Sequence, residues 1–203
     1  MNQLEQLSAE AVSIPLRVND VKQYEYCPRI VFYNTVMPVE RKSTVKMDRG
    51  KHEEFRLDAL EKRRTLARYQ LRVGERRFHV WLESRKFGLS GKLDLLIVSP
   101  RGFFPVDFKY TRGRPHRNHL FQLAAYAILV EENFQTEVGT GFIYLAPIQE
   151  VVAVQLTPDL KEKTLNFLAE IRAMIRDGIL PAATSVRSRC DECEFRNYCG
   201  DIF

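Results

Sequence analysis

The sequence lacks the features that would direct it to a membrane or out of the cell. No apolar run approaches the roughly 18 residues that a membrane span requires. The N-terminal segment lacks the basic start and apolar stretch of a secretion signal. No repeat, low-complexity tract or Gly/Ser-rich linker divides the 203 residues. These absences favour a cytoplasmic protein with one core, or one domain with a small appendage.

Positive and negative side chains are nearly balanced, and cysteine is scarce. Lys and Arg number 31 against 26 Asp and Glu, a net charge of +5, which is compatible with a polyanionic partner without identifying one. Four cysteines occur, and a reducing cytosol argues against structural disulfides between them. Cys27 stands alone, whereas Cys190, Cys193 and Cys199 crowd the C-terminal end. This uneven placement requires an explanation.

Hydrophobic periodicity and turn residues predict an α/β protein with a mixed sheet flanked by helices. Helices are predicted over 20–36 with a break near Pro28, 48–67 with Asp48 as N-cap, 119–132, and 158–177 before Gly178 and Pro181. Strands are predicted over 69–73, 77–84, the two apolar runs around Ser99–Gly102, 141–147 and 150–156. A single domain over 1–203 follows, with a helical region (1–47), a core (48–180) and a cysteine-rich tail (181–203).

The most informative segment is the hairpin around Ser99–Gly102, whose residues are typical of a turn. A turn centred on Pro100-Arg101 pairs Val98 with Phe103, Leu96 with Pro105 and Asp94 with Asp107. Directly opposed residues have Cβ atoms about 5 Å apart, and the period of two puts Lys109 on the same face as Asp107. The sequence thus predicts two carboxylates and an ammonium group together on otherwise apolar strands.

Such a cluster has two interpretations. Carboxylates this close raise each other's pKa unless a cation lies between them, and hard ions such as Mg²⁺ and Mn²⁺ prefer these oxygen ligands. Lys109 could then stabilise developing negative charge or orient a water nucleophile. The alternative is an Asp–Lys salt bridge at a sheet edge, with the other Asp solvated.

The order of the elements favours the metal site. His52 and Glu53 in the predicted helix 48–67 offer a third ligand, although a lone His on a helix is more often structural or solvated. The elements in chain order are a helix with His52, a strand with Asp94, a strand with Asp107-Phe108-Lys109, and a helix with Gln122 and Tyr126 on one face. In this order they resemble the PD-(D/E)xK nuclease superfamily, and the last pair resembles the Q-x-x-x-Y motif of its RecB-like branch.

The resemblance implies a catalytic role for each of these positions. The ligands of a catalytic Mn²⁺ or Mg²⁺ would be His52, Asp94, Asp107 and the Phe108 carbonyl. Lys109 would serve the attacking water or the pentavalent phosphate. Gln122 and Tyr126 would steady Lys109 or the bound strand. Glu53 would support the ligands or simply suit the N-terminal end of the helix dipole.

Two basic segments flank this predicted site. The segment TRGRPHRNH follows Lys109, and its side chains suited to DNA phosphates are Arg112, Arg114, Arg117 and His119. A solvated surface loop is the alternative for this segment. The other run, over 61–64, is predicted to be a solvated helix face.

The cysteines supply a possible four-thiolate site. Cys190-x2-Cys193-x5-Cys199 contributes three thiolates and Cys27 could contribute the fourth. Four thiolates suit structural zinc or an iron–sulfur cluster, and unligated thiols are the alternative. Zinc sites usually pair two C-x2-C-type knuckles, which one remote cysteine fits poorly. The pattern resembles RecB-like nucleases in which a cluster ties the N-terminal region to the tail, and it implies a [4Fe–4S] cluster before [2Fe–2S] or zinc.

Nearly the whole chain resembles the fourth CRISPR-associated (Cas) protein family. The segments that carry the resemblance are VNDVKQYEYCPRIVFY, RGKHEE, GKLDLLI, PVDFKY, QLAAYA and RCDECEFRNYC. The departures are Lys92 and a chain end shortly after Cys199, which fits a complete small protein or one domain of a longer fusion. The resemblance implies a metal-dependent DNA nuclease, commonly of 5′→3′ polarity on single strands, that trims overhangs of prespacer DNA within a CRISPR integrase complex. Ends would be selected by the target-flanking motif (PAM).

Two other functions remain open from the sequence. One is a RecB-like DNA-repair exonuclease unrelated to CRISPR, which genomic neighbours would distinguish. The other is a non-catalytic iron–sulfur DNA-binding module, against which the intact set of Asp94, Asp107 and Lys109 argues. The sequence contains no P-loop or helicase segment, so a nuclease of this kind would receive ends that are already frayed or single-stranded.

Overall fold

The computed structural model describes residues 14–39, 60–191 and 193–200. The strands in these ranges are β1 (Leu16–Arg17), β2 (Glu75–Ser84), β3 (Leu89–Ser99), β4 (Gly102–Lys109), β5 (Thr140–Leu145) and β6 (Glu150–Gln155). The helices are α1 (Val18–Tyr26), α2 (Pro28–Thr35), α3 (Arg117–Phe134), α4 (Pro158–Asp177) and α5 (Arg196–Cys199). None of these helices is both long enough and apolar enough to cross a membrane.

The strands form one mixed sheet, which confirms the predicted α/β class. Its order is β1-β3-β4-β5-β6, and β2 pairs with β3. β1 runs parallel to β3 and β4 parallel to β5, whereas the other pairs are antiparallel. The β3–β4 hairpin has the predicted register, with Leu96 opposite Pro105 and Val98 opposite Phe103. Because β4 and β5 are parallel, α3 has to cross over between them.

The sheet separates two apolar clusters. The larger cluster joins the helices to one face of the sheet and takes in most of the buried part of α3. This helix is apolar around most of its circumference and is therefore a core helix rather than an amphipathic surface helix. The smaller cluster covers the other face, where Leu66, Tyr69, Phe142 and Tyr144 pack together. Alternation along β5 sends Ile143 and Leu145 to the helical face.

Most predicted elements are confirmed, and one strand is wrong. The helix break near Pro28 and the helix over 158–177 are present, and Gly178 ends the latter with φ 64°. No strand forms over 69–73: a 3₁₀ turn ends at Tyr69, and Gln70 adopts φ 56°. The alternation of buried and exposed residues over 69–73 arises because this loop packs Tyr69 and Leu71 against the smaller cluster. The start of the predicted helix 48–67 lies outside the described residues, and the described part is helical over 60–63.

Glu61 is a buried charged hub on the smaller-cluster side. It is 1% exposed, and its carboxylate lies 3.9 Å from Arg64 Nη1, 3.3 Å from Arg68 Nη1 and 3.8 Å from Arg76 Nε. Burial and the adjacent Glu61 charge raise the pKa of Tyr69. The prediction of a solvated face over 61–64 is therefore wrong at both ends of the run, although the two middle residues are exposed.

We expect Glu61→Gln to lower the free energy of unfolding by about 3 kcal/mol or more, because it leaves a group of partly buried guanidinium ions without their counter-charge. Urea denaturation followed by circular dichroism measures this loss. Glu162→Gln on the exposed face of α4 is the matched control and should leave the midpoint unchanged. Equal midpoints for the two variants would show that the hub contributes little.

Candidate active site

The two predicted carboxylates, Asp94 and Asp107, lie at the end of the β3–β4 pairing that is farther from the turn. The regular β3–β4 pairing extends to Leu95 opposite Val106. One step further, the Asp94 side chain accepts a hydrogen bond from the Phe108 backbone N–H at 2.7 Å. A carboxylate has thus taken the place of a strand-to-strand backbone bond. This hydrogen bond holds the Asp94 carboxylate beside the peptide bond between Asp107 and Phe108.

β3 changes its facing direction at Asp94. The β2–β3 ladder skips the pair that would place His79 opposite Asp94, and His79 has φ 52°. Leu93 and Leu95 are two residues apart, yet they pack into the two clusters on opposite faces of the sheet. Neither strand gains a residue here, because Phe78 pairs with Leu95 and Val80 with Leu93, and Phe78 and Val80 also pack into opposite clusters, so both strands reverse their facing direction together. This reversal turns Asp94 out of the regular alternation.

Asp107 and Lys109 share a face, as predicted. Asp107 is 2% exposed, and its Oδ2 lies 2.5 Å from Lys109 Nζ. Lys109 is the next residue on that side of β4, and its side chain is also largely buried. Two carboxylates and one ammonium group therefore meet at a buried point of the sheet.

Gln122 and Tyr126 form the wall of the site on α3. Both are 6% exposed, and Gln122 hydrogen-bonds to the Tyr126 hydroxyl. That hydroxyl donates to the Lys92 carbonyl at 2.7 Å and thereby ties α3 to β3. Burial raises the pKa of Tyr126, and the charges of Asp107 and Asp94 raise it further, so the phenol stays neutral and can donate.

Gly91 permits this close approach of helix and strand. A Cβ atom at Gly91 would lie 2.8 Å from Val18 Cγ2 and 3.0 Å from Tyr126 Cε1. We expect Gly91→Ala to destabilise the fold by about 1–3 kcal/mol and to lower the cleavage rate, because α1 and α3 must shift away from β3. Gly113→Ala is the control, since nothing lies within 4 Å of the place that its methyl group would take. Denaturation midpoints and initial rates measure both effects, and an unchanged rate for Gly91→Ala would contradict the prediction.

Lys22 on α1 is electrostatically coupled to this site, and sequence reasoning missed it. The pKa of Lys22 is lowered to about 8, first by burial and then by the Lys109 charge, against the opposing charges of Asp107 and Asp94. These three charged groups are therefore its electrostatic neighbours. The only sequence signal was a lysine one helical turn after the apolar Val18.

The predicted DNA-binding side chains divide into two groups. Arg112 and Arg114 are exposed on the segment that links β4 to α3. Arg117 begins α3, and its Nε lies 3.2 Å from Glu25. His119 is half-buried and lies near Lys109: its pKa is lowered to about 3, first by burial and then by the charges of Lys109, Lys22 and His116. Its Nδ1 accepts from the His116 N–H at 3.3 Å, so the neutral ring presents Nε2–H as a donor.

The four cysteines line one cavity between the α1–α2 junction and the tail. Burial raises the pKa of Cys193, and charges on Cys27, Cys190 and Cys199 would raise it further. The predicted approach of the remote Cys27 to the C-terminal thiols is therefore present in the fold. The four thiols are electrostatic neighbours that repel one another when ionised.

Side chains around the cavity connect the N-terminal helices to the tail. Arg29 on α2 donates from Nε to the Pro181 carbonyl at 2.8 Å and from Nη1 to Cys199 Sγ at 3.2 Å. The Tyr33 hydroxyl donates to the Tyr198 carbonyl at 3.2 Å, and its ring stacks on Phe195 with centroids 5.5 Å apart. These contacts join α2 to the C-terminal tail beside the four cysteines.

The described residues supply only part of any metal-binding set. Within 14–39, 60–191 and 193–200, no group of three or more His, Cys, Asp or Glu side chains is gathered tightly enough to hold a single ion. At the carboxylate site, the predicted ligand His52 and its neighbour Glu53 lie outside the described residues.

Comparison with known proteins identifies the family. A profile of the PD-(D/E)XK nuclease superfamily matches residues 34–200. A CRISPR-associated exonuclease Cas4 of Francisella tularensis subsp. novicida is 30% identical and covers 94% of this chain and 95% of its own. The Cas4 exonuclease of Aeropyrum pernix is 28% identical, and the match covers 90% of this chain and 93% of that protein. A Cas4/endonuclease Cas1 fusion of Geobacter sulfurreducens is 25% identical over 92% of this chain but 34% of its own length.

The crystal structure of SSO0001 shares the fold. It aligns with a TM-score of 0.56 at 17% identity and covers 98% of this chain and 97% of its own. The superfamily match extends from α2 to the cysteine tail and includes both carboxylate strands. The chain therefore belongs to the PD-(D/E)XK nuclease superfamily, as a DNA nuclease of its CRISPR-associated Cas4 exonuclease family.

Proposed function

We propose that this nuclease trims the single-stranded overhangs of prespacer DNA, as a subunit or fused domain of a CRISPR integrase complex. The observation that supports this proposal most directly is that relatives in Geobacter sulfurreducens and Rhodospirillum rubrum are fusions with endonuclease Cas1. Fusion holds two activities at a high effective concentration. The modest net charge of +5 gives weak DNA affinity alone, so a partner that already holds the DNA would supply the remainder.

Asp94, Asp107, the Phe108 carbonyl and His52 are proposed to hold one Mn²⁺ or Mg²⁺. The fit rests on the chemistry of the donors: two carboxylates beside one peptide, with Asp107 almost wholly buried. Hard divalent cations prefer these oxygens. A bound ion would polarise the phosphate and make water more acidic.

The surrounding side chains then position the substrate and the nucleophile. Lys109, held beside Asp107, would orient the attacking water or stabilise charge on the phosphate. The Gln122 Oε1 is buried and finds no donor within the described part of the chain. A buried acceptor of this kind requires a partner, and the Lys109 ammonium or the attacking water could supply it. Tyr126 would hold β3 in place through the Lys92 carbonyl.

The DNA strand is proposed to enter along the segment before α3. Arg112 and Arg114 are exposed there and would bind backbone phosphates as it passes. Arg117 would exchange its Glu25 contact for a phosphate. His119 would donate from Nε2 close to Lys109 and Lys22. Selection of ends by a flanking motif would require contacts to bases, for which these same side chains are the first candidates.

A [4Fe–4S] cluster held by Cys27, Cys190, Cys193 and Cys199 is proposed to join the N-terminal helices to the tail. Four mutually repelling thiols around one cavity fit a cationic group. One remote cysteine joined to three near the C-terminal end fits poorly the paired C-x2-C knuckles that are usual for zinc, which favours a multi-atom cluster. When bound, the cluster would cross-link distant parts of the chain.

The proposed function is tested with the integrase from the same locus. Co-expression followed by affinity purification should recover both proteins together. A prespacer with single-stranded overhangs should then be shortened before integration, and overhangs with and without the flanking motif should differ in final length. Asp107→Asn in the same complex is the control for contaminating nucleases. Failure to co-purify, together with unaltered ends at integration, would instead support a repair exonuclease.

A further inference from the structure

Lys22 lies on the side of α1 that faces the reaction site. Val18, one helical turn earlier, approaches Gly91 and Tyr126, because a methyl group at Gly91 would contact both side chains. Residues four apart lie on the same side of a helix. Lys22 is therefore on the side of α1 that packs against β3 and α3.

The next turn of α1 confirms this orientation. Glu25 lies 3.2 Å from Arg117 Nε at the start of α3. On α1, Lys22 thus lies between Val18, which is near Tyr126, and Glu25, which pairs with Arg117. On α3 these two residues are nine positions apart, and His119 and Gln122 lie between them. Lys22 faces the stretch of α3 that carries the site residues.

The charges around Lys22 agree with this placement. Its electrostatic neighbours are Lys109, Asp107 and Asp94, in decreasing order of effect. Lys22 in turn acts on His119, together with Lys109. The residue is half-buried, and burial is the largest cause of its lowered pKa. Three elements, α1, β4 and α3, therefore present cationic or donor groups around the two carboxylates.

The charge balance indicates what these groups are for. The carboxylates of Asp94 and Asp107 are balanced by the ammonium groups of Lys22 and Lys109. A divalent cation in the site would leave two uncompensated positive charges, which are unfavourable in a buried place. A phosphodiester carries one negative charge and acquires another as water adds to phosphorus. A site that contains Lys22 therefore matches the charge of the reacting phosphate.

We infer that Lys22 binds a backbone phosphate of the DNA strand at the reaction site, so that α1 contributes directly to substrate binding. This inference rests on the proposed assignment of Asp94, Asp107 and Lys109 as the reaction site. Lys22 acts as a positioning residue that holds the strand while Lys109 serves the reacting atoms. The alternative is a purely structural lysine that neutralises the two carboxylates.

Binding of a single-stranded oligonucleotide in Ca²⁺, measured by fluorescence anisotropy between about 50 and 200 mM salt, distinguishes the two roles. Loss of one phosphate contact lowers the slope of log K against log salt by about 0.7 for single strands. Lys22→Met and Lys22→Gln should both show this reduction, and Lys22→Arg should restore the slope. Lys163→Met, which removes an exposed lysine paired with Asp159 on α4, should keep the wild-type slope.

A methylphosphonate scan locates the contact. Neutralising one phosphate at a time should reveal a position that weakens wild-type binding but not that of Lys22→Gln. If each replacement weakens both proteins equally and the salt slopes match, Lys22 is structural and the inference fails. That result differs from failure of the proposed site, in which Asp107→Asn would retain wild-type cleavage whatever Lys22 does.

Discussion

Asp107→Asn is expected to reduce metal-dependent DNA cleavage at least about a thousandfold while leaving a folded protein. Asp107 is 2% exposed, and its Oδ2 lies 2.5 Å from Lys109 Nζ. The amide keeps the shape of the side chain, so the packing of β4 should persist. It removes the negative charge that attracts a divalent cation and also the partner of Lys109. Loss of a metal ligand or of charge stabilisation raises the barrier by several kcal/mol, which is a factor of a thousand or more.

Initial rates on a labelled single strand in Mn²⁺ and in Mg²⁺ measure this effect. The matched control is Asp159→Asn on α4, which removes an exposed carboxylate whose Oδ2 lies 2.8 Å from Lys163 Nζ. It should cut at the wild-type rate, because it preserves every group around the two strands. Circular dichroism and the denaturation midpoint show whether each variant is folded. Wild-type cleavage by a folded Asp107→Asn protein would place the reaction elsewhere.

The hairpin could be predicted because its determinants are local. Turn residues fixed the centre, and a period of two fixed the register from Ser99 opposite Gly102 to Leu95 opposite Val106. The approach of the two carboxylates followed directly. The geometry of the two carboxylates could not be predicted in this way. The Asp94 side chain accepts a hydrogen bond from the Phe108 N–H, where regular strands would form a backbone pair. Alternation rules describe backbone ladders, and at Asp94 a side chain replaces the ladder.

Charged residues that depend on tertiary packing were harder to predict. Glu61 reads as part of a basic surface run, but its partners include Arg76, which comes from β2. Lys22 reads as a polar residue on a short amphipathic helix, and its role depends on how α1 lies on β3. In both cases the sequence shows a charge and its helix position. It does not show which other element will cover that side of the helix.

Cys27 and His52 are assigned by family resemblance and not by local rules. Cys27 was grouped with the C-terminal thiols on the basis of resemblance, since no local rule connects residues so far apart in sequence. In the fold it lines the same cavity as the other three. His52 was assigned by the order of elements and lies outside the described residues, so its role stays a prediction. Loss of metal-dependent cleavage in His52→Ala would support this assignment.

Cys27→Ser is expected to remove iron from the anaerobically purified protein and to abolish its brown colour and broad absorbance near ~400 nm. Cys27 is 8% exposed and serves as N-cap of α2, so serine replaces it with little change in shape. A serine hydroxyl is a poor substitute for a thiolate ligand. The cluster would otherwise close a loop of roughly 160 residues between Cys27 and Cys190. By the chain-entropy argument used for disulfides, a cross-link of that length stabilises the fold by about 5 kcal/mol.

This loss of stability should lower the unfolding temperature by about 10–20 °C, given about 2–4 °C per kcal/mol for a protein of this size. Tyr33→Phe is the matched control, because it removes the hydroxyl bond to the Tyr198 carbonyl, another link between α2 and the tail, and retains all four thiols. It should keep its iron and lose far less stability. Metal analysis, absorbance and thermal denaturation of the same samples separate the possible results. Full iron content in Cys27→Ser, with unchanged absorbance and unfolding temperature, would contradict the assignment of Cys27 as a ligand. One zinc and no iron in the wild-type protein would instead identify a structural zinc site, with the same four thiolates drawn around a single ion.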